Sequence, residues 1–370
     1  MGIVTRLRAN LRSTSLLYQR LRDRGHGQVA TVLGRLPQAV ALRAYRKLAY
    51  AVNDGLLQRW VTQARFRRFQ ASLTDQSDGH FYVIVMPQTL HFLLPCLRLV
   101  ANDMRLILLL NGASRWEADL LRARWPKLPQ FRVATLPNSS VSHGSMINML
   151  LRDNDRDFGL FDHDLYLFDK TVLAQLQFAD GEFLLCLLSD ASVDGKWVYP
   201  LTHFLYFRVE VFKRLMERYG VGARSYHEVP EPARGQLISL GLRDGATMKS
   251  YHDFYDTLHV LLGLAYAEGL SVAQLELPED GVYHVGGTSI GTHHTKNLAH
   301  LYIQLRFLEL VNEPLLHRRY ASVTAPFMSA SELRKRVPQT PRDVHMMRVA
   351  DELIARLRHS FEMETSVAQD

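Results

Sequence analysis

Between residues 80 and 164, short apolar runs alternate with amphipathic stretches, and this alternation constrains the fold more than any other feature. The stretches at 89–103, 114–126 and 143–155 predict helices, the second with Ser114 as its N-cap. The apolar runs predict buried strands: HFYVIVM (80–86), MRLILLLNG (104–112), FRVATLP (131–137) and FGLFDHD (158–164). Strands that alternate with helices in this way predict an α/β fold with helices flanking the sheet.

The positive charge is concentrated near the N-terminus. Residues 1–75 carry 14 Lys and Arg against 3 Asp and Glu, a net charge of +11, so the remaining residues carry −4 of the chain's +7. Leu, Tyr, Trp and Phe alternate with these arginines, which predicts a basic amphipathic helical segment over residues 1–76. Such a segment binds an anionic membrane surface or another polyanion, or it is a helical cap with solvated arginines. We expect no nucleic acid partner, because no zinc-finger spacing or RNP-like strand accompanies the charge.

The sequence also indicates the compartment. Cys96 and Cys186 lie in apolar runs without Cys-x-x-Cys spacing, as expected of reduced core residues. The N-terminus has no signal-peptide pattern, and no apolar run reaches the ~18 residues of a membrane span. We therefore expect a cytoplasmic protein, with a peripheral position at the inner face of the cell membrane as the alternative.

The fourth predicted strand runs into a cluster of carboxylates. Ligands in open α/β sheets bind at the carboxyl ends of the strands, where Asp162 and Asp164 follow FGLF. On an extended chain the two side chains point the same way, and two like charges repel unless a cation lies between them. Carboxylate oxygens suit Mg²⁺ or Mn²⁺. Asp169 is interpreted as the cap of a following helix.

This Asp-x-Asp triplet, placed after three β/α units, resembles the motif of GT-A glycosyltransferases of the bacterial polysaccharide type. The resemblance implies a GT-A fold, a Rossmann-like mixed sheet with flanking helices, over residues 77–292. Residues 80–169 would form its nucleotide half and residues 170–292 its acceptor half, and a helical C-terminal extension would follow at 293–370. It also implies that Asp164 binds the metal directly and that Asp162 binds the ribose or the metal.

Further residues take roles from the same resemblance. Asp253 and Asp256 open a predicted helix that ends at Gly269, and either would be the catalytic base, with Asp253 ranked first. His284 would complete the metal or diphosphate site. From the residues alone, both aspartates are equally interpreted as helix N-terminal charges, and His284 as a structural histidine.

The resemblance assigns the contacts with the nucleotide to the loops after the first two predicted strands. Pro87, Gln88 and Thr89 would contact the base and ribose, and Asn111 stands where the family commonly has an acidic residue near uracil. A UDP-sugar is favoured over a GDP-sugar.

The acceptor would be a hydroxyl of a glycan or lipid-linked saccharide, in surface polysaccharide or glycolipid synthesis. A hexosyl transfer with inversion is favoured, and the aromatic segment 192–220 would be an acceptor platform or part of the core.

Two other functions remain open. A sugar nucleotidyltransferase would share the carboxylate-bound Mg²⁺, but the Gly-rich loop and lysine expected after the first strand are missing from MPQTLHF. A zinc-binding or scaffold protein could use His293, His294 and His300, although they lack the spacing of a zinc hydrolase.

Overall fold

The computed structural model describes residues 45, 48–73, 79–191, 197–249, 254–278, 280–286, 288, 298–320 and 329–367. The chain divides into two compact units, Met1–Val52 and Asn53–Asp370. In the first unit, residue 45 and residues 48–52 are helical.

A seven-stranded mixed sheet forms the centre of the second unit, in the order β10-β6-β9-β4-β1-β2-β3. Strands β3, β2, β1 and β4 are parallel neighbours, whereas β9 runs antiparallel to both β4 and β6. Two pairs, β5 with β11 and β7 with β8, form small antiparallel ribbons. The strands are β1 (His80–Val85), β2 (Arg105–Leu110), β3 (Gln130–Arg132), β4 (Phe158–Phe161), β5 (Leu165–Leu167), β6 (Glu182–Cys186), β7 (Ser189–Ala191), β8 (Val198–Pro200), β9 (Phe204–Phe207), β10 (Ser271–Gln274) and β11 (Val282–His284). The predicted α/β fold with a mixed sheet is confirmed.

Helices cover both faces of the sheet. A π-helical segment, Asn53–Thr62, continues as α1 (Gln63–Ala71). The other α-helices are α2 (Leu90–Val100), α3 (Arg115–Arg124), α4 (His143–Asp153), α5 (Val209–Tyr219), α6 (Arg234–Ser239), α7 (His259–Ala267), α8 (Leu298–Val311), α9 (Pro314–Arg319), α10 (Ala330–Arg336) and α11 (Pro341–Val367). The predicted cap of α3 forms, because Ser114 and Glu117 make a reciprocal capping box.

Alternate residues of the central strands face two separate apolar cores, as the period of a strand requires. Phe81 and Val83 of β1 face a core shared with α2, α8 and α11, whereas Tyr82 and Ile84 face a core shared with α1, α4, α5 and α7. Cys96 and Cys186 are buried, one in each core, and both thiols are free.

The described C-terminal residues, 298–320 and 329–367, form four helices that extend the first core. Phe307 of α8 packs on Phe92 of α2 with ring centroids 4.8 Å apart. These helices therefore cover one face of the sheet. Within the part of the chain that the structure describes, none of the helices combines the length and the apolar character that crossing a bilayer requires.

The helical segment from Asn53 to Ala71 belongs to the sheet unit. Phe66 is fully buried against Tyr82 and Phe131, with centroids 5.9 Å and 5.1 Å away. Asn53 donates to Ser139 Oγ at 2.9 Å. The compact unit that contains the sheet begins at Asn53, and this segment supplies core side chains as well as charge. The functional division after residue 76 stays a prediction.

Several predicted elements are shorter in the structure. The third strand ends at Arg132, and the stretch after Asp169 forms only a 3₁₀ turn, Thr171–Gln175, whose first N–H donates to Asp169. The helix predicted to open at Asp253 or Asp256 begins at His259. Leu258, with φ of 71°, lies in the left-handed region and prevents the helix from extending backward.

Candidate functional site

Asp162 and Asp164 lie in a tight turn between β4 and β5. The backbone N–H of Asp162 donates to the carbonyl of His203 at 2.8 Å, and that of Leu165 donates to the carbonyl of Asp162 at 3.2 Å. The expectation of an extended chain is therefore wrong, and the two carboxylates have different surroundings. The side chain of Asp162 is 24% exposed, whereas that of Asp164 is 4% exposed.

Asp162, His203 and His284 form a group with the geometry of a metal site, their ligand atoms all within 4.8 Å of one another. Oδ2 of Asp162 lies 3.5 Å from Nδ1 of His203 and 3.9 Å from Nε2 of His284. The two imidazoles stack with centroids 3.4 Å apart. Sheet pairing creates this convergence: Phe161, before Asp162, is opposite Phe204, after His203, and β11 places His284 opposite Leu165.

The buried carboxylate of Asp164 also contacts His284. Its Oδ1 lies 3.4 Å from Nε2 of His284, and its Oδ2 accepts from Thr288 at 2.8 Å. The Thr288 hydroxyl also contacts Nε2 of His163 at 3.0 Å. Asp164 is thus surrounded by groups that fix its carboxylate, including the predicted metal ligand His284.

The pKa values reflect this arrangement. Burial, the largest influence on Asp164, raises its pKa, but attraction to His163 and hydrogen bonds from His284 and Thr288 hold the pKa well below its ordinary value. Burial lowers the pKa of His284, yet its hydrogen bond to Asp164 and the charges of Asp164 and Asp162 raise it overall. Asp164 and His284 therefore form a buried ion pair.

The group also fits a divalent cation by its chemistry. Nδ1 of His203 is buried and has no hydrogen-bond partner among the described residues, although it faces the carboxylate of Asp162. A buried ring nitrogen without a partner costs free energy, which a bound cation would recover. One carboxylate and two imidazoles are a donor set that transition metals accept more readily than Mg²⁺ does.

The predicted nucleotide loop follows β1. Gln88 has φ of 61°, in the left-handed region, and its N–H donates to buried Glu117 at 2.8 Å. Thr89 is buried and donates to the carbonyl of Met86. Gly112 lies beside the loop, since a Cβ there would be 2.3 Å from the Ser139 carbonyl oxygen and 3.3 Å from Pro87 Cγ. Only glycine fits at this close approach.

The side chain of Asn111 makes contacts within the protein, although the sequence analysis assigned it to the nucleotide. The residue is 1% exposed, and its amide both donates to and accepts from the backbone of Val141, at 2.9 Å and 2.8 Å. The Asn111 side chain therefore joins the end of β2 to the segment that precedes α4. It shapes the edge of the sheet from within.

The predicted acceptor side includes the segment before α7. Asp256 accepts from the N–H of Thr257 at 2.8 Å, and its Oδ2 lies 3.7 Å from Nζ of Lys249. Asp253 lies outside the described residues. Burial lowers the pKa of His143, at the start of α4, while the charges of Asp162 and Asp256 act to raise it. The same imidazole therefore lies within electrostatic reach of the metal group and of Asp256.

The structure also bears on the aromatic segment and on the histidine-rich segment, and for the first it favours the core interpretation. Most of the aromatic residues predicted as an acceptor platform are core residues, namely Tyr199, Phe204, Tyr206 and Phe207. His293 and His294 lie outside the described residues, and His300 is a half-buried residue of α8. His203, which the sequence placed only among these aromatic residues, is the third member of the metal group.

One family model matches part of the chain. Residues 57–212 match the family described as StrH glycosyltransferase N-terminal domain. No curated protein matches the chain significantly. The match includes the nucleotide loop, Asp162 and His203, whereas Asp256 and His284 lie beyond it.

Solved structures show weaker likenesses. The mannosyltransferase PcManGT from Pyrobaculum calidifontis, in complex with GDP-Man and Mn²⁺, aligns over 89% of this chain and 92% of its own, with 11% identity and a TM-score of 0.35. S. aureus TarS 1-349 in complex with UDP-GlcNAc aligns over 75% and 81%, with 12% identity and a TM-score of 0.29. These values are too low to transfer a substrate or a metal. The resemblance to glycosyltransferases is confirmed by the family match, and over residues 57–212 the chain is similar to the StrH glycosyltransferase N-terminal domain.

Proposed function

We propose that this protein is a metal-dependent glycosyltransferase that moves a sugar from a nucleotide-sugar donor to a hydroxyl acceptor. The observation that carries the proposal is the convergence of Asp162, His203 and His284 at the carboxyl end of β4. This edge of an α/β sheet is where ligands bind. Part of the site lies within the segment that matches a glycosyltransferase family.

Asp162, His203 and His284 would hold the metal, and Asp164 would orient His284. Mn²⁺ suits this set better than Mg²⁺, because two of the three donors are imidazoles. A bound divalent cation supplies neutralisation of the charge that develops on the leaving diphosphate. The residue assignment differs from the sequence prediction in that Asp164 positions a ligand and His203 is added.

Pro87, Gln88 and Thr89 are proposed to contact the nucleoside, in a loop whose shape Asn111 and Gly112 support. The backbone of the loop is held by the Gln88 N–H bond to Glu117. A UDP-sugar remains favoured over a GDP-sugar, and both are tested below.

Asp256 is proposed to accept the proton of the acceptor hydroxyl, with Asp253 as the alternative base. The side chain of Asp256 is 36% exposed, so an acceptor hydroxyl can approach its carboxylate. Direct attack by that hydroxyl inverts the anomeric centre. A retaining mechanism is indicated instead if neither Asp253→Asn nor Asp256→Asn lowers turnover.

The acceptor is proposed to be a glycan or a lipid-linked saccharide used in surface polysaccharide or glycolipid synthesis. The transferred sugar would be a hexose. The net charge of +11 in residues 1–75 supports work at the anionic inner face of the cell membrane, from the cytoplasmic side.

The test is release of nucleoside diphosphate from a panel of UDP- and GDP-sugars, with Mn²⁺, with Mg²⁺ or with a chelator. Wild-type protein should release one of the two diphosphates only with a divalent cation, and Asp162→Asn should lower the rate at least about 10²-fold. Asp169→Asn is the matched control, since Asp169 only caps an exposed turn. Metal-independent release, or an active Asp162→Asn variant, would contradict the proposal.

A further inference from the structure

The helical segment Asn53–Ala71 presents an apolar surface to solvent. The side chains of Leu56 and Trp60 are 61% and 70% exposed, and Val61 is 38% exposed. A tryptophan exposed to this extent is uncommon in a soluble domain, and neighbouring large apolar side chains mark an interaction surface.

The orientation of this surface is fixed by the opposite side of the segment. Asn53, Gln58, Thr62 and Phe66 are buried, at a spacing of four to five residues. Leu56 and Trp60 lie two positions away from Gln58 and Thr62, which places them on the opposite side of the helix. Because the buried residues are tied to the sheet, the exposed ones cannot rotate inward.

The segment carries four arginines and one acidic residue, Asp54, whose carboxylate accepts from the N–H of Ser142 at 2.8 Å. Arg59, Arg65 and Arg68 are exposed, and the guanidinium of Arg59 lies 5.8 Å from the centroid of the Trp60 ring. Arg67 pairs with Asp153 at 2.8 Å and serves the fold. Arg59 therefore lies beside the exposed Trp60, and Arg65 and Arg68 add exposed positive charge further along the same segment.

We propose that this surface, formed by Leu56, Trp60, Val61, Arg59, Arg65 and Arg68, docks on an anionic lipid bilayer. The proposal deepens the membrane association that the proposed function includes, by naming the surface and its partner. Tryptophan prefers the membrane–water interface, and arginines gain from anionic headgroups. A soluble polyanion would use the arginines alone, and it would leave the exposure of Leu56 and Trp60 without a role.

The test is co-sedimentation of the full chain with vesicles of phosphatidylcholine alone or mixed with phosphatidylglycerol. Wild-type protein should bind the mixed vesicles and should dissociate from them as the salt concentration rises. Arg59→Gln/Arg65→Gln/Arg68→Gln should lower binding by roughly 100-fold, and Leu56→Ser/Trp60→Ser by at least about 10-fold. Ile238→Ser is the matched control, because Ile238 is 52% exposed on α6, outside this surface, and it should bind like wild type.

The outcomes separate this inference from the proposed function. Binding of UDP and GDP with Mn²⁺, measured in solution on the same preparations, should be equal in all four proteins. Vesicle binding that both surface variants retain would overturn the inference, as would loss in the arginine variant alone, because Leu56 and Trp60 would then take no part in docking. Failure of all four proteins to bind nucleotide would instead count against the proposed function.

Discussion

Asp162 and Asp164 are two residues apart in the sequence, but their carboxylates have different surroundings. Asp162 is partly exposed and faces two imidazoles, one of them with a buried nitrogen that lacks a partner among the described residues. Asp164 is buried, and its two oxygens contact His284 and Thr288. The first position favours a ligand, and the second favours a residue that holds the His284 ring in place.

We predict different effects of the two amide substitutions. Asp164→Asn should lower the free energy of unfolding of the metal-free protein by about 1–3 kcal/mol, because it disturbs a buried hydrogen-bonded ion pair. It should weaken Mn²⁺ binding by about 10–100-fold. Asp162→Asn should change the unfolding free energy by less than about 0.5 kcal/mol and abolish Mn²⁺ binding. Urea unfolding and calorimetric titration measure both, and the reverse ranking would exchange the two roles.

Asp162 was predictable from the sequence, whereas His203 was not. A carboxylate that follows a buried apolar strand is visible as a local pattern. His203 reaches the same place only because β9 runs antiparallel beside β4, with Phe204 opposite Phe161. An apolar run does not encode the direction or the neighbours of its strand. The available signal was a histidine directly before the buried run FLYF.

At the scale of elements, the C-terminal helices hold the predicted nucleotide loop. The hydroxyl of Tyr320, at the end of α9, donates to buried Glu117 at 2.7 Å. Glu117 also accepts from the N–H of Gln88, whose left-handed conformation costs free energy. A hydrogen-bonded connection therefore runs from α9 through α3 to the loop after β1.

We predict that Tyr320→Phe weakens donor binding about 10-fold, because the lost hydrogen bond to a charged group is worth roughly 1.5 kcal/mol and its loss loosens the loop. The turnover number should change little. Tyr302→Phe is the matched control: its hydroxyl donates to Asp351, among the C-terminal helices. Steady-state kinetics on wild type and both variants measure the donor KM. Equal donor KM values in Tyr320→Phe and wild type would show that Tyr320 acts only on stability.

The parallel half of the sheet followed from the sequence, since strands β1, β2 and β4 are continuous apolar runs separated by amphipathic helices. The contact between α4 and the segment after α5 was not predictable from the sequence. Gly144 at the start of α4 packs so closely on the 223–224 segment that a Cβ would lie 2.7 Å from the Cα of Arg224. Contacts of this kind depend on tertiary packing, so no local pattern reveals them.

At the scale of the whole molecule, we predict that the catalytic unit begins at Asn53. A chain that starts at Asn53 should fold cooperatively, because it keeps Phe66 and the hydrogen bonds of Asn53. A chain that starts at Ser77 should fail to do so, since loss of one buried phenylalanine alone costs about 3–5 kcal/mol. Circular dichroism and thermal unfolding distinguish them. Equal melting temperatures would show that residues 53–76 are dispensable for the fold.

The central claim is that Asp162, His203 and His284 together hold a divalent cation beside a nucleoside diphosphate. The most direct measurement is electron paramagnetic resonance of bound Mn²⁺ with UDP or GDP, on wild type, His203→Gln and the exposed control His227→Gln. We predict one nucleotide-dependent Mn²⁺ site in wild type and the control, with affinity at least about 10-fold lower in His203→Gln. Equal Mn²⁺ affinity in His203→Gln and wild type, or no nucleotide-dependent site in either, would contradict the account.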